Sequence, residues 1–250
     1  LSGWRKPIVT TIHEYGWWEW EPKWIPKWFL EQLKQWGQKH HWWDREDGFL
    51  LTLSDAIVTT NQEAEKVVRD RLPNALVHRI PIGANVEVFP IDRTLARSQL
   101  RQTCNWSEEA QVVVFFGFLH PVKGLETLLS AFQNVSSDAK LILVGGVESL
   151  ALRGNDAKKY WEKLEALIAQ LSLRDRVHMT GYIDAETASK YLSGSDIGVL
   201  PFNHGVTLKS GSLLALLAHG LPVIATRSSD NLIDNLSVIN KIPAKNVDAL

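Results

Sequence analysis

The sequence predicts an α/β protein built on mainly parallel sheets, and three features point there. Short β-like runs alternate with helical patterns along the whole chain, an order of elements that needs crossover connections and hence parallel pairing. The run Val112–Gly117 is apolar almost without interruption, as expected of a strand covered on both faces. Turn residues punctuate the runs: Gly145-Gly146 ends one strand, and Gly220 follows a helical stretch as a natural C′ residue.

The elements follow in order. Pro7–Ile12, rich in Ile, Val and Thr, reads as a strand, and Trp24–His41 has helical composition. Asp55–Thr60 is a second strand, Asn61 a good N-cap for a helix running to about Leu72, and Val77–Ile80 a third strand. Pro81, Gly83 and Pro90 bracket an irregular stretch that reads as a linker. Val112–Gly117 then opens a more regular half. Gly124–Val135 carries Leu125, Leu128, Leu129 and Phe132 at helical spacing. Leu141–Gly145 is a strand, and Trp161, Leu164, Ile168 and Leu171 mark one helix face. Val177–Thr180 (strand), Ala185–Leu192 (helix), Ile197–Leu200 (strand), Ser210–His219 (helix) and Pro222–Thr226 (strand) complete the alternation. The predicted organisation is a partial α/β domain over residues 1–85, a linker with a leading helix over 86–110, and a second α/β domain over 111–250. The chain begins with Leu1 directly in strand-like sequence and stops within an αβ pattern at Leu250, so a fragment with an incomplete first domain is expected.

Composition narrows the class. The formal net charge is -1 and the apolar and charged fractions are ordinary, so nothing points to a nucleic-acid partner. One cysteine, Cys104, excludes an internal disulfide framework and a cysteine-rich zinc site, which fits a reducing, cytoplasmic setting. No apolar run reaches the roughly eighteen residues of a membrane span, and no signal-peptide pattern opens the chain.

In open α/β sheets ligands bind outside the carboxyl ends of the strands, often against helix N-termini. The loop Asn203–Ser212 is the richest such position. It carries Gly205, Thr207, Lys209, Ser210, Gly211 and Ser212 and runs directly into an apolar helix. Free N–H groups and the positive end of the helix dipole make that start an anion site. Lys209 adds a point charge, and Lys123 can approach from the loop after Val112–Gly117. Two readings stand on spacing alone: a diphosphate site, or a solvated lysine beside a serine that only caps the helix.

Several stretches, taken together, resemble the retaining GT-B glycosyltransferases of the glycosyl transferases group 1 family. They are Val9–Glu14, Ser54–Val58, Ile80–Asn85 ahead of Phe89, Phe116-Gly117 through Lys123-Gly124, and Leu141–Gly146. Val177–Ile183, Ser195–Ile197 ahead of Leu200-Pro201, and Ala218–Ala225 complete the series, in an order and spacing that cover nearly the whole chain. The resemblance implies two Rossmann-like domains facing across a cleft, with a nucleotide-sugar donor on the second and an acceptor on the first. The donor, UDP- or GDP-linked, is then a substrate, and no cofactor or metal is expected. The resemblance further implies that Lys123 holds the donor diphosphate and that Tyr182 and Ile183 face the base through their backbone. It places His13 near the transferred sugar and Gly117 at the donor. Sugar transfer is implied with retention at the anomeric carbon: the diphosphate leaves an oxocarbenium-like centre, and the acceptor hydroxyl attacks from the same face.

Three positions depart from the family pattern. Phe118 stands where an arginine is usual, and Thr207 and Ala215 stand where the family has a Glu-x7-Glu pair that contacts sugar and ribose. Lys209 is a candidate replacement for the missing cation. The departures motivate an alternative, a nucleotide-sugar-binding protein without catalysis; an NDP-sugar epimerase is a third reading, for which no convincing acidic set is present. Asp44, Glu46 and Asp47 cluster in a polar segment and read as solvated. His40, His41, His120 and His219 have ordinary structural readings, at loops or a helix end.

Trp17, Trp18, Trp20, Trp24, Trp28, Trp36, Trp42 and Trp43 are eight of the chain's 11 tryptophans, and Lys23, Lys27, Lys34 and Lys39 are interleaved with them. Three readings remain open: a platform for a sugar acceptor, peripheral contact with the inner membrane face where lipid-linked acceptors lie, or packing against further N-terminal elements.

Overall fold

The computed structural model describes residues 6–12, 24–40, 53–149, 152–228 and 236–250. The chain divides into two compact units, Leu1–Ile82 and Gly83–Leu250.

In the first unit β1 (Val9–Ile12), β2 (Ala56–Thr59) and β3 (Val77–Arg79) form a parallel sheet in that order. Helix α1 spans Lys27–Lys39 and α2 spans Gln62–Arg71. Asn61 caps α2 as its sequence position predicts: its side-chain oxygen accepts from the Ala64 N–H at 2.9 Å. The buried apolar cluster is small, consisting of Ile12, Ile57, Ala64, Val68 and Val77. Along α1, Leu30 is buried, while Trp28, Phe29 and Trp36 are exposed.

The second unit carries α3 (Arg93–Thr103), β4 (Gln111–Phe116), α4 (Leu125–Phe132), β5 (Ala139–Val144) and α5 (Gly154–Gln170). β6 (Val177–Gly181), α6 (Ala185–Gly194), β7 (Ile197–Leu200), α7 (Gly211–Ala218), β8 (Val223–Thr226) and β9 (Ile239–Ile242) follow. All six strands pair in parallel, in the order β6-β5-β4-β7-β8-β9. The chain starts at the sheet's middle, steps outward to β6, returns past β4 to β7 and steps outward the other way. This is the doubly wound arrangement, and its direction of winding reverses between β4 and β7. Strand β9 has no clear counterpart in the sequence pattern, because Ile239-Asn240-Lys241-Ile242 offers only two apolar residues, set outside a polar pair.

The core is formed by residues such as Phe115, Leu129, Leu141, Ile142, Leu143 and Leu164, all fully buried. Beside it lies a polar clamp. One Asp196 carboxylate oxygen accepts from the Val112 N–H at 2.8 Å and from Arg101 at 2.9 Å, and the other pairs with Arg97. Arg101 is fully buried and also donates to the carbonyls of Ala110 and Gly194. Burial and the nearby Arg97 lower its pKa, but a guanidinium stays charged at neutral pH. The clamp joins α3 to the starts of β4 and β7, the two strands that flank the reversal. Among the described residues, no helix is long and apolar enough to cross a membrane.

Candidate functional site

A reversal of winding opens a crevice, because the loops leaving the two flanking strands travel to opposite faces of the sheet. At this crevice lies a cavity of about 280 Å³. Its walls come from the carboxyl ends of three strands: Phe116 to Phe118 after β4, Val144 to Gly146 after β5, and Tyr182-Ile183 after β6. Lys123, Ser212 in the first turn of α7, Ala185 and Ala188 of α6, and the Asn85-Val86 segment complete it.

Backbone contacts shape the floor. The Gly117 N–H donates to the Val144 carbonyl at 3.0 Å, and the Leu119 N–H to the Gly146 carbonyl at 2.9 Å. Gly117 has φ +132°, a backbone conformation that favours glycine, and a Cβ there would also lie 2.6 Å from the Ser212 hydroxyl, which would have to rotate away. Phe118 and Tyr182 are exposed at the rim, the latter at 87% of its full accessibility.

Lys123 is carried by a short 3-10 turn, Pro121–Lys123, which begins at His120. The His120 ring nitrogen Nδ1 accepts from the Val122 N–H at 3.3 Å, so this histidine works as a cap. The turn is fastened to the loop after β7. The Asn203 N–H donates to the Val122 carbonyl at 2.9 Å and its side-chain amide to the Pro121 carbonyl at 3.0 Å. Gly124, at φ +70°, lies so close to the Pro201 carbonyl that a Cβ would sit 2.0 Å from its oxygen. The result brings Lys123 Nζ to 3.6 Å from the centroid of the Phe202 ring. Burial holds the Lys123 pKa below the ordinary lysine value. Among the described lining residues Lys123 is the one cation.

Helix α7 presents its N-terminus here. The Ser210 hydroxyl accepts from the Leu213 N–H at 3.3 Å, and the first intrahelical acceptor is the Ser210 carbonyl, reached by Leu214. The N–H groups of Gly211 and Ser212 therefore have no intrahelical acceptor and are free to meet an anion. Gly211 packs against Asn85, its would-be Cβ 3.1 Å from that side chain.

The preceding loop is laid along β8. The Val206 N–H donates to the Thr226 carbonyl at 3.0 Å, and Gly205 abuts the Arg227 carbonyl. The Thr207 hydroxyl accepts from the Lys209 N–H at 3.2 Å, and Lys209 itself is half-buried. Of the residues singled out in the sequence, Gly117, Lys123, Tyr182, Ile183 and Ser212 line the cavity, whereas Gly205, Thr207, Lys209, Ser210 and Gly211 form the loop and cap behind it. His13 lies outside the described residues, as do Asp44, Glu46 and Asp47 and five of the eight clustered tryptophans. Asn85 closes the family-like stretch Ile80–Asn85 but is not among the site residues singled out in the sequence, and Val86, Ala185 and Ala188 are lining residues that no local motif announces.

Two further reactive side chains lie away from the cavity lining. Buried His219 lies with Nε2 2.8 Å from the Ser189 hydroxyl and Nδ1 2.7 Å from the Ala215 carbonyl. Burial pushes the Cys104 thiol up to about 11, well away from a reactive thiolate. A larger concavity of about 430 Å³ lies between α5 and β6, lined by Trp161, Glu165, Ile168, Arg174, Val177 and Met179. It runs along the flank of an edge strand, from the strand's first residue, and the topology that locates ligands at strand carboxyl ends does not point to it. Among the described residues, no group of three or more His, Cys, Asp or Glu side chains could hold a metal ion.

Residues 110–250 match the family described as Glycosyl transferases group 1. Over 191 residues the chain is 28% identical to a D-inositol 3-phosphate glycosyltransferase of Xylanimonas cellulosilytica, covering 70% of this chain and 41% of that protein. Over 195 residues it is 25% identical to the alpha-D-kanosaminyltransferase of Streptomyces kanamyceticus, covering 78% and 46%. The chain thus spans less than half the length of either relative. The crystal structure of Anabaena Alr3699/HepE in complex with UDP and glucose superposes with a TM-score of 0.67 at 17% identity, over 98% of this chain and 60% of that one, a likeness of fold.

Proposed function

The chain belongs to the glycosyl transferases group 1 family, and from that premise we propose that its second unit binds a UDP- or GDP-linked sugar at the switch-point cavity for transfer of the sugar to an acceptor hydroxyl. One observation carries the reading: Gly117, Lys123, Tyr182, Ile183 and Ser212, from separate parts of the chain, meet in one cavity at the reversal of the sheet. Lys123 and the free amides of α7 supply positive charge, with no carboxylate among the described lining residues, which suits a diphosphate. The main chain at Tyr182 and Ile183 offers donors and acceptors to a base. As the bond to the sugar breaks, negative charge grows on the leaving diphosphate, and fixed positive groups stabilise that charge most when they already stand in place. In this reading transfer retains the anomeric configuration and Lys123 does the work a divalent cation does elsewhere, so activity survives chelation by EDTA.

Calorimetric titration with UDP, GDP and ADP tests the site. Lys123→Ala is expected to weaken the best diphosphate ligand by ten- to a hundredfold, on the order of 1.5–3 kcal/mol for a charge-assisted contact. If neither Lys123→Ala nor Lys209→Ala changes affinity, the phosphate site lies elsewhere. A second reading, binding without catalysis, draws on Ala215, which is fully buried and puts no carboxylate at that place in the pattern. Release of free nucleoside diphosphate from a mixture of nucleotide sugars and acceptors separates the two.

The first unit is the proposed acceptor side, and its α1 is the proposed point of contact with an anionic membrane surface carrying a lipid-linked acceptor. Trp24, Trp28 and Trp36 are 80%, 67% and 54% exposed, and Lys27 and Lys39 lie on the same short segment. Amphipathic tryptophan rings and lysine stems of this kind favour a headgroup interface.

A further inference from the structure

The cavity poses an electrostatic problem that its own residues solve. A half-buried ammonium loses hydration and needs compensation. A carboxylate beside Lys123 would supply it, but would also neutralise the charge and repel an incoming phosphate. Among the described residues Lys123 has no such ion pair, and its ammonium faces an aromatic ring instead, at 3.6 Å from the Phe202 centroid. We propose that Phe202 is a positioning residue of this site: its ring holds the Lys123 ammonium charged and in place for a diphosphate, while leaving that charge free to be used. The proposal rests on the diphosphate reading of the cavity.

The geometry supports the assignment at each link. A cation within roughly 6 Å of a ring centroid is attracted by the negative face of the π system, more strongly where water is scarce. The ring cannot turn away easily, because Phe202 is buried and packs on fully buried Phe115 with centroids 6.4 Å apart at an interplanar angle of 59°. Its backbone is fixed as well: the Phe202 carbonyl accepts from the Thr226 hydroxyl at 2.7 Å and from the Gly205 N–H at 3.1 Å. The turn that carries Lys123 is bonded to Asn203, the residue after Phe202, so the backbones that carry ring and lysine are fastened to each other. An aromatic cradle pays part of the desolvation cost and gives none of it back as repulsion toward an anion.

The decisive experiment compares Phe202→Leu, which keeps apolar bulk and removes the π face, with Phe202→Tyr, which keeps the ring. Two readouts are taken on the whole chain. The first is the titration of Lys123 followed by NMR on 13C-labelled lysine in the free protein. The second is the affinity for UDP and for uridine as a function of pH. In Phe202→Leu, Lys123 is expected to lose its proton at lower pH than in the parent, and UDP binding to weaken about three- to tenfold. Uridine binding should stay within about twofold, since the nucleoside has no phosphate for Lys123. Phe202→Tyr should restore both. If the leucine variant fails to fold, Phe202→Met replaces it. An unchanged Lys123 titration overturns the proposal, as does a loss of UDP and uridine binding alike, which is the mark of a core residue only. If the titration moves as expected but the parent protein binds no diphosphate, the reading of the cavity falls, and with it the role given to Phe202.

Discussion

Among the described residues, the two units treat their aromatic side chains in opposite ways. In the second, Phe115, Phe116, Phe132, Tyr160 and Phe202 are buried, and the aromatic residues left exposed among those described are Phe118 and Tyr182, both at the rim of the cavity. In the first, the buried cluster among the described residues holds no aromatic side chain, while Trp24, Trp28, Phe29 and Trp36 are exposed. Apolar area left in water is a cost of folding that is usually offset by a later contact. In one unit the exposed rings collect around a cavity of ligand size; in the other they spread along one short helix and the turn before it. The chemistry of the residues is similar, and what differs among the described residues is the size of the buried apolar cluster in the same unit.

This contrast predicts that the second unit is vulnerable from within. Asp196→Ala is the most damaging substitution expected, because it strands buried Arg101 and removes the acceptor of the Val112 N–H. Loss of one partner of a buried ion pair costs about 3–5 kcal/mol, and the carbonyls that remain around Arg101 place this case at the lower end. Asp196→Asn keeps an acceptor and should lose less. Urea unfolding followed by fluorescence of Trp106 and Trp161, with the first-unit tryptophans replaced by phenylalanine, reads the effect. A loss below about 1 kcal/mol would place the stability of this unit in its apolar packing alone.

A finer comparison uses two glycines with the same backbone. Gly124 and Gly220 both have φ +70°, yet a Cβ on Gly220 meets nothing within 4 Å while one on Gly124 meets the Pro201 carbonyl at 2.0 Å. Gly220→Ala should cost about 1–2 kcal/mol, the ordinary penalty of the left-handed region. Gly124→Ala should cost more, because backbone has to move, and should also weaken diphosphate binding by shifting the turn that carries Lys123. Equal thermal shifts for the two variants would show that the turn yields without strain.

How much of this was legible beforehand follows the range of the interactions. Asn61 and Ser210 are local caps, and their positions before helical runs suffice to place them. Five strands of the parallel sheet were legible in their short apolar runs, whereas the sixth, β9, half polar, was not. The same limit applies to the site. Ser212 could be picked out because it opens a helix and Lys123 because its loop follows a strand, whereas Gly117, Tyr182 and Ile183 stand out through the family resemblance. The contact between Lys123 and Phe202 could not, since it depends on hydrogen bonds joining residues about 80 positions apart in the chain. Nor does composition reveal that Gly205 and Val206 are spent on contacts with the end of β8 and the residue after it.

The smallest effect on stability is expected where the rings are most exposed. Trp28→Ala and Trp36→Ala together remove side chains that are 67% and 54% exposed, so the fold should change by no more than about 0.5 kcal/mol per site. Their effect on co-sedimentation with vesicles is expected to be large by comparison. The parent chain should bind vesicles containing anionic lipid and release them as salt rises past the Debye screening range, and the double variant should not bind. Binding to neutral and anionic vesicles alike would assign the contact to the rings without the lysines. A parent chain that ignores vesicles, combined with a double variant that loses affinity for a soluble sugar acceptor, would turn α1 from a membrane contact into a stacking platform. A double variant that instead loses several kcal/mol of stability would erase the contrast between the units, because the rings would then belong to a core after all.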